Sequence, residues 1–318
     1  MTDPFPGDRV VVRYRLADDA PTDWRATANP ATRGPSLSDI TGKLRDDGDP
    51  LRIERDGTVE AVPRSAVTSI RVLSNTAVRN SAIRDLERAA ALAWPGTDSE
   101  WIDGWFARAG GGFTRRANSA IPVEFGARAD VTTLAAIRTW YRDRDLPATL
   151  ALPDRLLRAG IVDARPVSGE IQILARDVTG LDTTEHSSVH LADSPTPEWL
   201  RAYRGPEIDV HTAAGVVGAS RGPVAVASVG AEPRAIGRAS VTSADDGTRW
   251  LGLTALWTDP TSRRGGLAGS VVSTLVGWGV AHGAERVYVQ VEADNRIAGT
   301  WYRALGFGLH HTSRYVEI

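Results

Sequence analysis

Apolar positions recur along the chain with two different periods, and the points where the period changes mark out its elements. Between residues 9 and 75 the alternation is two-fold. Val10, Val12, Tyr14 and Leu16 form one run, and further runs cover 40–44, 51–54, 58–62 and 67–72. A two-residue period is that of a strand with one face buried. Asp46-Asp47-Gly48-Asp49 and Asp56-Gly57 separate these runs, and Asp-Gly between strands is a strong hairpin signal. Five short strands in 1–75 predict a small β-barrel of the SH3-like kind.

The period then lengthens. Ala77, Ile83, Leu86, Ala90 and Leu92 make a helical stripe over 76–93, which Trp94-Pro95-Gly96 ends. Two strands joined by the Gly110-Gly111-Gly112 turn are expected across 101–123. A helix over 131–142, with Leu134, Ile137 and Trp140 or Tyr141 inward, a strand over 147–152 and a short helix over 155–160 follow. Beyond 167 the pattern is cleaner. Strands are expected at 171–175, 223–229, 235–241, 250–257, 286–291 and 314–318, and helices at 196–203, 269–282 and 295–305. The order β-α-(α)-βββ-α-β-α-β predicts a mixed α/β sandwich rather than a dinucleotide-binding repeat. The expected domains are thus 1–75, 76–166 and 167–318.

Composition narrows the chemistry. The 318 residues include no Cys, which excludes disulfides, zinc–thiolate and iron–sulfur sites and any thiol nucleophile. Lys43 is the sole lysine, so a lysine nucleophile is not expected. The formal charge is −2, and residues 1–75 hold 12 acidic against 11 basic side chains. That balance argues against a nucleic-acid partner. No stretch approaches ~18 uninterrupted apolar residues, and no basic-then-apolar leader opens the chain. The expectation is a soluble cytoplasmic protein with no membrane partner. No metal is expected either: there is no H-E-x-x-H, and the adjacent His310 and His311 on a strand point to opposite faces. Ser187, Ser188 and Ser220 have no triad around them.

One loop stands out. Leu256-Trp257-Thr258 ends a strand, Pro260 turns the chain, and Arg263-Arg264-Gly265-Gly266-Leu267-Ala268-Gly269 opens a helix. The first turn of a helix offers unpaired N–H groups and the positive end of its dipole, and glycines admit a ligand close to that backbone. This is the physics of a phosphate cradle, although neither the P-loop nor the G-x-G-x-x-G pattern is present. Downstream, Asn295 ends a strand, and Tyr302, Gly306 and Phe307 close the next helix.

In this ordered combination the sequence resembles the GNAT superfamily of acetyl-CoA-dependent N-acetyltransferases. Arg263 to Ala268 matches the family motif R/Q-x-x-G-x-G/A, and Asn295, Tyr302, Gly306 and Phe307 match its strand–Asn–helix–Tyr–x-x-x-Gly-Phe element. The resemblance implies a C-terminal GNAT mixed sheet with acetyl-CoA as cosubstrate. The backbone of Leu256, Trp257 and Thr258 would pair with the pantetheine arm. The amides from Arg264 to Gly269 would hold the pyrophosphate, with Arg263 and Arg264 beside it. Asn295 would bond the cofactor or fix the splayed strand, unless it only caps its helix, and Tyr302 would protonate the leaving thiolate.

The chain departs from the family at Gln290, where many members place a general-base Glu. Glu292, two residues on, is a candidate base or a structural carboxylate; otherwise the base lies in another segment or the amine arrives neutral. The middle segment repeats a helix–strand–helix order in shorter form, as a degenerate GNAT-like half would. Its Arg115-Arg116-Ala117-Asn118-Ser119 run is either scaffold or, through Arg116 and Asn118, part of an acceptor pocket. Arg115, Arg116, Arg238 and Arg303 could together line a pocket for an anionic acceptor.

The whole layout resembles a group of actinobacterial proteins, some of them N-acetylglutamate synthases, which would make the amine L-glutamate; a homo-oligomer stays an open alternative that the sequence does not decide. The alternatives are a protein or aminoglycoside acetyltransferase, or a non-catalytic acetyl-CoA sensor.

Overall fold

The computed structural model describes residues 4–16, 37–73, 78–157 and 164–318. The chain divides into two compact units: residues 1–78 with 291–310, and residues 79–290 with 311–318.

In the first unit, strands β1 (Arg9–Arg15), β2 (Leu37–Asp46), β3 (Leu51–Arg55), β4 (Thr58–Val62) and β5 (Val67–Leu73) form one sheet in the order β4-β3-β2-β1-β5. Alternation decides which side chains turn inward: Val10, Val12, Tyr14, Ile40, Leu44, Leu51, Ile53 and Val62 make the core. Arg55 pairs with Thr58, so Asp56-Gly57 is a two-residue turn. Both of its residues have positive φ (50° and 80°), the conformation that makes Asp-Gly the favoured sequence there. The five expected strands are present. Among the described residues no pairing between β4 and β5 closes the sheet into a barrel.

The second unit opens with helix α1 (Asn80–Ala93) and a hairpin of β6 (Asp98–Ile102) and β7 (Trp105–Ala109), which short β8 (Ile121–Pro122) joins. Helix α2 (Val131–Arg142) begins on Asp130, whose carboxylate accepts the Thr133 N–H at 2.9 Å. Then come β9 (Thr149–Pro153), β10 (Arg165–Pro166), β11 (Ile171–Asp177) and β12 (Val189–Ala192). Helices α3 (Pro197–Arg204) and α4 (Val210–Gly218) follow, then β13 (Val224–Val229), β14 (Ala235–Ser243), β15 (Arg249–Thr258), helix α5 (Leu267–Ala281), β16 (Arg286–Glu292), helix α6 (Arg296–Ala304) and β17 (Gly308–Glu317). The main sheet runs β10-β17-β11-β16-β15-β14-β13-β12, with β9 also on β17. Trp250 packs with Leu86 and Ala90 of α1. The next residue, Leu251, lies where a Cβ on Gly279 of α5 would fall, 2.7 Å away. Neighbouring strand residues point to opposite faces, so α1 and α5 cover the two sides of this mixed sheet.

Several expectations change. The turn between β6 and β7 is Asp103-Gly104, not the three glycines, because this pair takes φ of 45° and 83° between Ile102 and Trp105. Most of the strand expected after the glycines is a loop; only 121–122 pair in a strand, with Ala120 bridged to Leu150. Strand β12 was not anticipated. The helix expected over 155–160 falls largely outside the described residues, and residues 154–156 make a turn.

In the first unit, α6 is fixed to the N-terminal segment. Arg303 donates from Nε and Nη2 to the two carboxylate oxygens of Asp8, at 2.5 and 3.1 Å, and its guanidinium lies 4.4 Å from the Phe5 ring centroid. Both side chains of the ion pair are more than nine-tenths buried. Replacing Asp8 by Ala removes the carboxylate on which Arg303 converges, and breaking a buried pair from one side costs about 3 kcal/mol or more. We expect Asp8→Ala to lower the urea midpoint accordingly; a loss under ~1 kcal/mol would be that of a solvent-screened pair.

Candidate active site

The site grows out of an irregularity in β15. Ile236 pairs with Trp257 and Arg238 with Thr254, so Ala255 and Leu256 together stand opposite Gly237 alone. This is a β-bulge, which bends a strand and sharpens its twist. Ala255 takes φ of +52° to make it. Gly237 is required opposite, because a Cβ there would come within 2.7 Å of Val271 and 2.9 Å of Leu275 on α5. On its other edge β15 is parallel to β16 from Trp250↔Arg286 to Leu253↔Val289, and there the pairing ends. β15 continues to Thr258 with its residues passing from buried to half-buried. Among the described residues, the backbone of 254–258 on that edge has no strand partner.

The chain next makes a turn in which Asp259 accepts the Thr261 N–H, and then enters the glycine loop. Arg264 sits at φ +63° and Gly266 at +79°. A left-handed conformation costs a non-glycine residue ~1–2 kcal/mol. Of the six described non-glycine residues with positive φ, three are Asp, which tolerate it; of the other three, Ala255 and Arg264 both lie in this segment. Helix α5, like α1, begins without a side-chain cap. Helices α2, α3, α4 and α6 each have one, from Asp130, Thr196, Asp209 and Asn295. Nothing stands within 4 Å of a Cβ placed on Gly266 or Gly269, and Arg263 to Gly266 are exposed. Free amides, a helix dipole, open glycines and two guanidiniums fit a pyrophosphate, and the unpaired β15 edge fits the amide-bearing arm attached to it. Leu256, Trp257, Thr258, Arg263, Arg264, Gly265, Gly266, Leu267, Ala268 and Gly269 therefore form one continuous surface.

The other expected site residues separate into two groups. Tyr302, Glu292 and Asn295 belong to the first compact unit. Tyr302 is buried, with Trp301 and Phe307 rings 4.9 and 5.4 Å away. Burial pushes its phenol above its ordinary value, so it holds its proton throughout the neutral range. Asn295 accepts the Ala298 N–H at 3.1 Å and is the cap of α6. Glu292 is exposed.

Arg116 belongs to the second unit, and its Nε donates to Gln290 Oε1 at 2.6 Å. Asn118 is scaffold rather than pocket. Its Oδ1 accepts from the N–H of Gly110 and Gly112, and its Nδ2 donates to the Thr114 carbonyl, which together shape the glycine loop. Nor do the other arginines line a pocket. Arg238 is fully buried and donates to the carbonyls of Val217, Ala93 and Ala219; burial pulls its guanidinium down to about 9. Arg115 donates to the Val167 carbonyl, and Arg303 is bound to Asp8.

Two buried residues were overlooked. Glu87 lies on the inward stripe of α1 between Ile83, Leu86 and Ala90, and its Oε1 is 2.8 Å from His311 Nε2. An acid at the i+4 position of an apolar stripe was a signal visible in the sequence.

Comparison with known proteins identifies the family. A family model described as "Probable histone acetyltransferase Rv0428c C-terminal" matches residues 80–316. The chain belongs to this family. A Mycobacterium tuberculosis protein named "Probable histone acetyltransferase Rv0428c" is 38% identical, over 98% of this chain and 95% of its own length. A solved GCN5-related N-acetyltransferase from Kribbella flavida has the same fold at a TM-score of 0.52, with 16% identity, over 76% of this chain and 96% of its own. The chain is thus an acyltransferase of the GNAT type, a class that uses acetyl-CoA.

A side chain at Gly266 would strain a backbone held at φ +79°. We expect Gly266→Ala to weaken acetyl-CoA binding about tenfold, the equivalent of ~1.4 kcal/mol. Isothermal titration with acetyl-CoA checks this, and unchanged affinity would place the pyrophosphate elsewhere.

Proposed function

We propose that the chain moves the acetyl group of acetyl-CoA to the primary amine of a small acceptor that carries a carboxylate, with L-glutamate the leading candidate. The observation that carries the reading is the continuous surface from the unpaired edge of β15 to the uncapped N-terminus of α5. The β15 backbone can bond the amides of the pantetheine arm as an added strand would, while the first amides of α5 take the pyrophosphate. The arm then lies along β15 and leads toward the end of its pairing with β16, where Gln290 is the first residue past the last pair.

The amine attacks the thioester carbonyl directly. The chain has no Cys to form an acyl intermediate. A buried phenol that keeps its proton, as Tyr302 does, suits donation to a departing thiolate. For the acceptor, Arg116 supplies a guanidinium able to bind a carboxylate. The resemblance of the sequence to N-acetylglutamate synthase-like proteins supports that choice.

A second reading comes from the name of the Mycobacterium tuberculosis relative: a lysine side chain of a basic protein. It is favoured by an open cavity of about 620 Å³ beside Trp257, where Glu232 offers a carboxylate to a cation and Glu198 is paired with Arg201 at 3.2 Å.

The deciding experiment is an acceptor panel of L-glutamate, other amino acids, polyamines, aminoglycosides and a histone-tail peptide, followed by release of the CoA thiol. Turnover led by glutamate supports the first reading, turnover led by the peptide the second, and acetyl-CoA binding without turnover points to a sensor. Under the first reading, Arg116→Ala raises the acceptor KM about 10- to 100-fold, as loss of a charge-assisted bond would. It leaves the acetyl-CoA KM unchanged; equal effects on both would remove Arg116 from the acceptor. Tyr302→Phe lowers kcat about a hundredfold with acetyl-CoA affinity retained. Unchanged turnover would deny it the acid role.

A further inference from the structure

Gln290 occupies the position where many members of this fold hold their general base, and an amide cannot take a proton. Behind it, in the second unit, lies a cavity of about 10 Å³, room for a single water. Gln290, Arg108, Arg116, Tyr315 and Glu87 line it, and Glu87 is the one carboxylate among its lining residues.

Glu87 is 3% exposed and His311 5%. A carboxylate buried this deeply on an otherwise apolar helix face is costly unless it is hydrogen-bonded, and His311 at 2.8 Å meets that need while fixing its orientation. The groups facing it can be sorted by what they can do. From β7, Arg108 donates to the Ser119 carbonyl and hydroxyl. From the loop after the glycines, Arg116 donates to Gln290. Neither guanidinium accepts a proton. From β16, Tyr288 is raised to about 12, and from β17, Tyr315 is raised as well, both by burial. Both phenols are therefore already protonated at neutral pH. Glu87, hydrogen-bonded to His311, is the base left facing this cavity.

We propose that the Glu87 carboxylate, held in place by His311, is the proton acceptor for the incoming ammonium, moved from the strand position of Gln290 to helix α1. The inference rests on the acetyl-transfer reading above. One ammonium proton passes through a water in the cavity to a Glu87 oxygen. The freed nitrogen lone pair forms the C–N bond to the acetyl carbon. The C–S bond breaks with its electron pair going to sulfur, and the second nitrogen proton is balanced by protonation of that thiolate. Glu87 returns its proton to solvent, so that amide, thiol and one proton are the products. Gln290, locked by Arg116, serves as the neutral wall of the same cavity, and His311 is a positioning residue.

The test is the pH dependence of kcat/KM for the amine of the panel that the full-length chain acetylates fastest. With a base in place the rate does not simply follow the amine's own ionisation. In Glu87→Gln only amine already neutral in solution can react, so the rate climbs tenfold per pH unit toward the amine's own ionisation. We expect the variant to be about a hundredfold slower at pH 7, to approach the parent within a few-fold near pH 9, and to bind acetyl-CoA normally. Glu87→Asp should restore the low-pH limb in part. Loss by one constant factor at every pH, or no loss, overturns the proposal while leaving acetyl transfer standing. If the parent chain acetylates none of the amines, both fall.

A readout without turnover uses CoA in place of acetyl-CoA. Adding the amine should shift the ring ¹⁵N resonances of His311, assigned by His311→Gln, in the parent and not in Glu87→Gln. No shift in the parent also overturns the proposal.

Discussion

Two residues of β15 stand against one of β14, and much of the site follows from that inequality. The extra residue turns β15 away from its course, and its parallel pairing with β16 stops at Leu253↔Val289. Beyond that point a strand edge lies open inside a sheet that is otherwise closely paired, a cost the fold accepts where a ligand can complete the ladder. Gly237 makes the arrangement compatible with packing, since any side chain there would collide with α5. The same helix whose side chains press on Gly237 presents its uncapped amides at its other function, the phosphate cradle. Bulge, open edge and helix start are thus one mechanical unit.

Polar groups in the interior are arranged by a second constraint. Nε and Nη2 of Arg238 donate to three backbone carbonyls, and Asn118 bonds two amides and a carbonyl. These side chains serve as internal caps for segments that lack regular hydrogen bonds. Glu87 with His311, and Arg116 with Gln290, are different. They converge on a water-sized cavity rather than on backbone, as groups held ready for chemistry do.

Local signals were legible in the sequence where local physics decides. Asp56-Gly57 announced its turn because its φ angles suit few other residues, and α2 has the expected bounds because Asp130 caps a clear apolar stripe. The glycine loop and the strand before it were legible because close approach to backbone demands glycine. What the sequence hid depended on distant partners. Gly110-Gly111-Gly112 looked like a hairpin turn, yet Asp103-Gly104 makes that turn and Asn118 organises the glycines. Arg238 and Arg303 looked like arginines of a pocket, yet they bind partners that include Ala93, 145 residues away, and Asp8, 295 residues away in the chain. Glu87 was visible as an acid within an apolar stripe, but its partner, 224 residues distant, was not.

The attachment of α1 to the main sheet has a consequence for how the chain can be divided. The carbonyls at its end accept from Arg238 and, at Ala89, from the Thr242 hydroxyl, and Leu92 accepts from the Arg221 N–H. β9, from the same middle stretch, is paired along β17. A fragment starting near residue 167 would carry every motif residue of the glycine loop, yet it would expose Leu86 and Ala90's apolar seat on Trp250 and strand the guanidinium of Arg238. Motif boundaries and folding boundaries therefore do not coincide in this protein. Shuffling of the glycine-loop segment into another gene would have to bring α1 along with it.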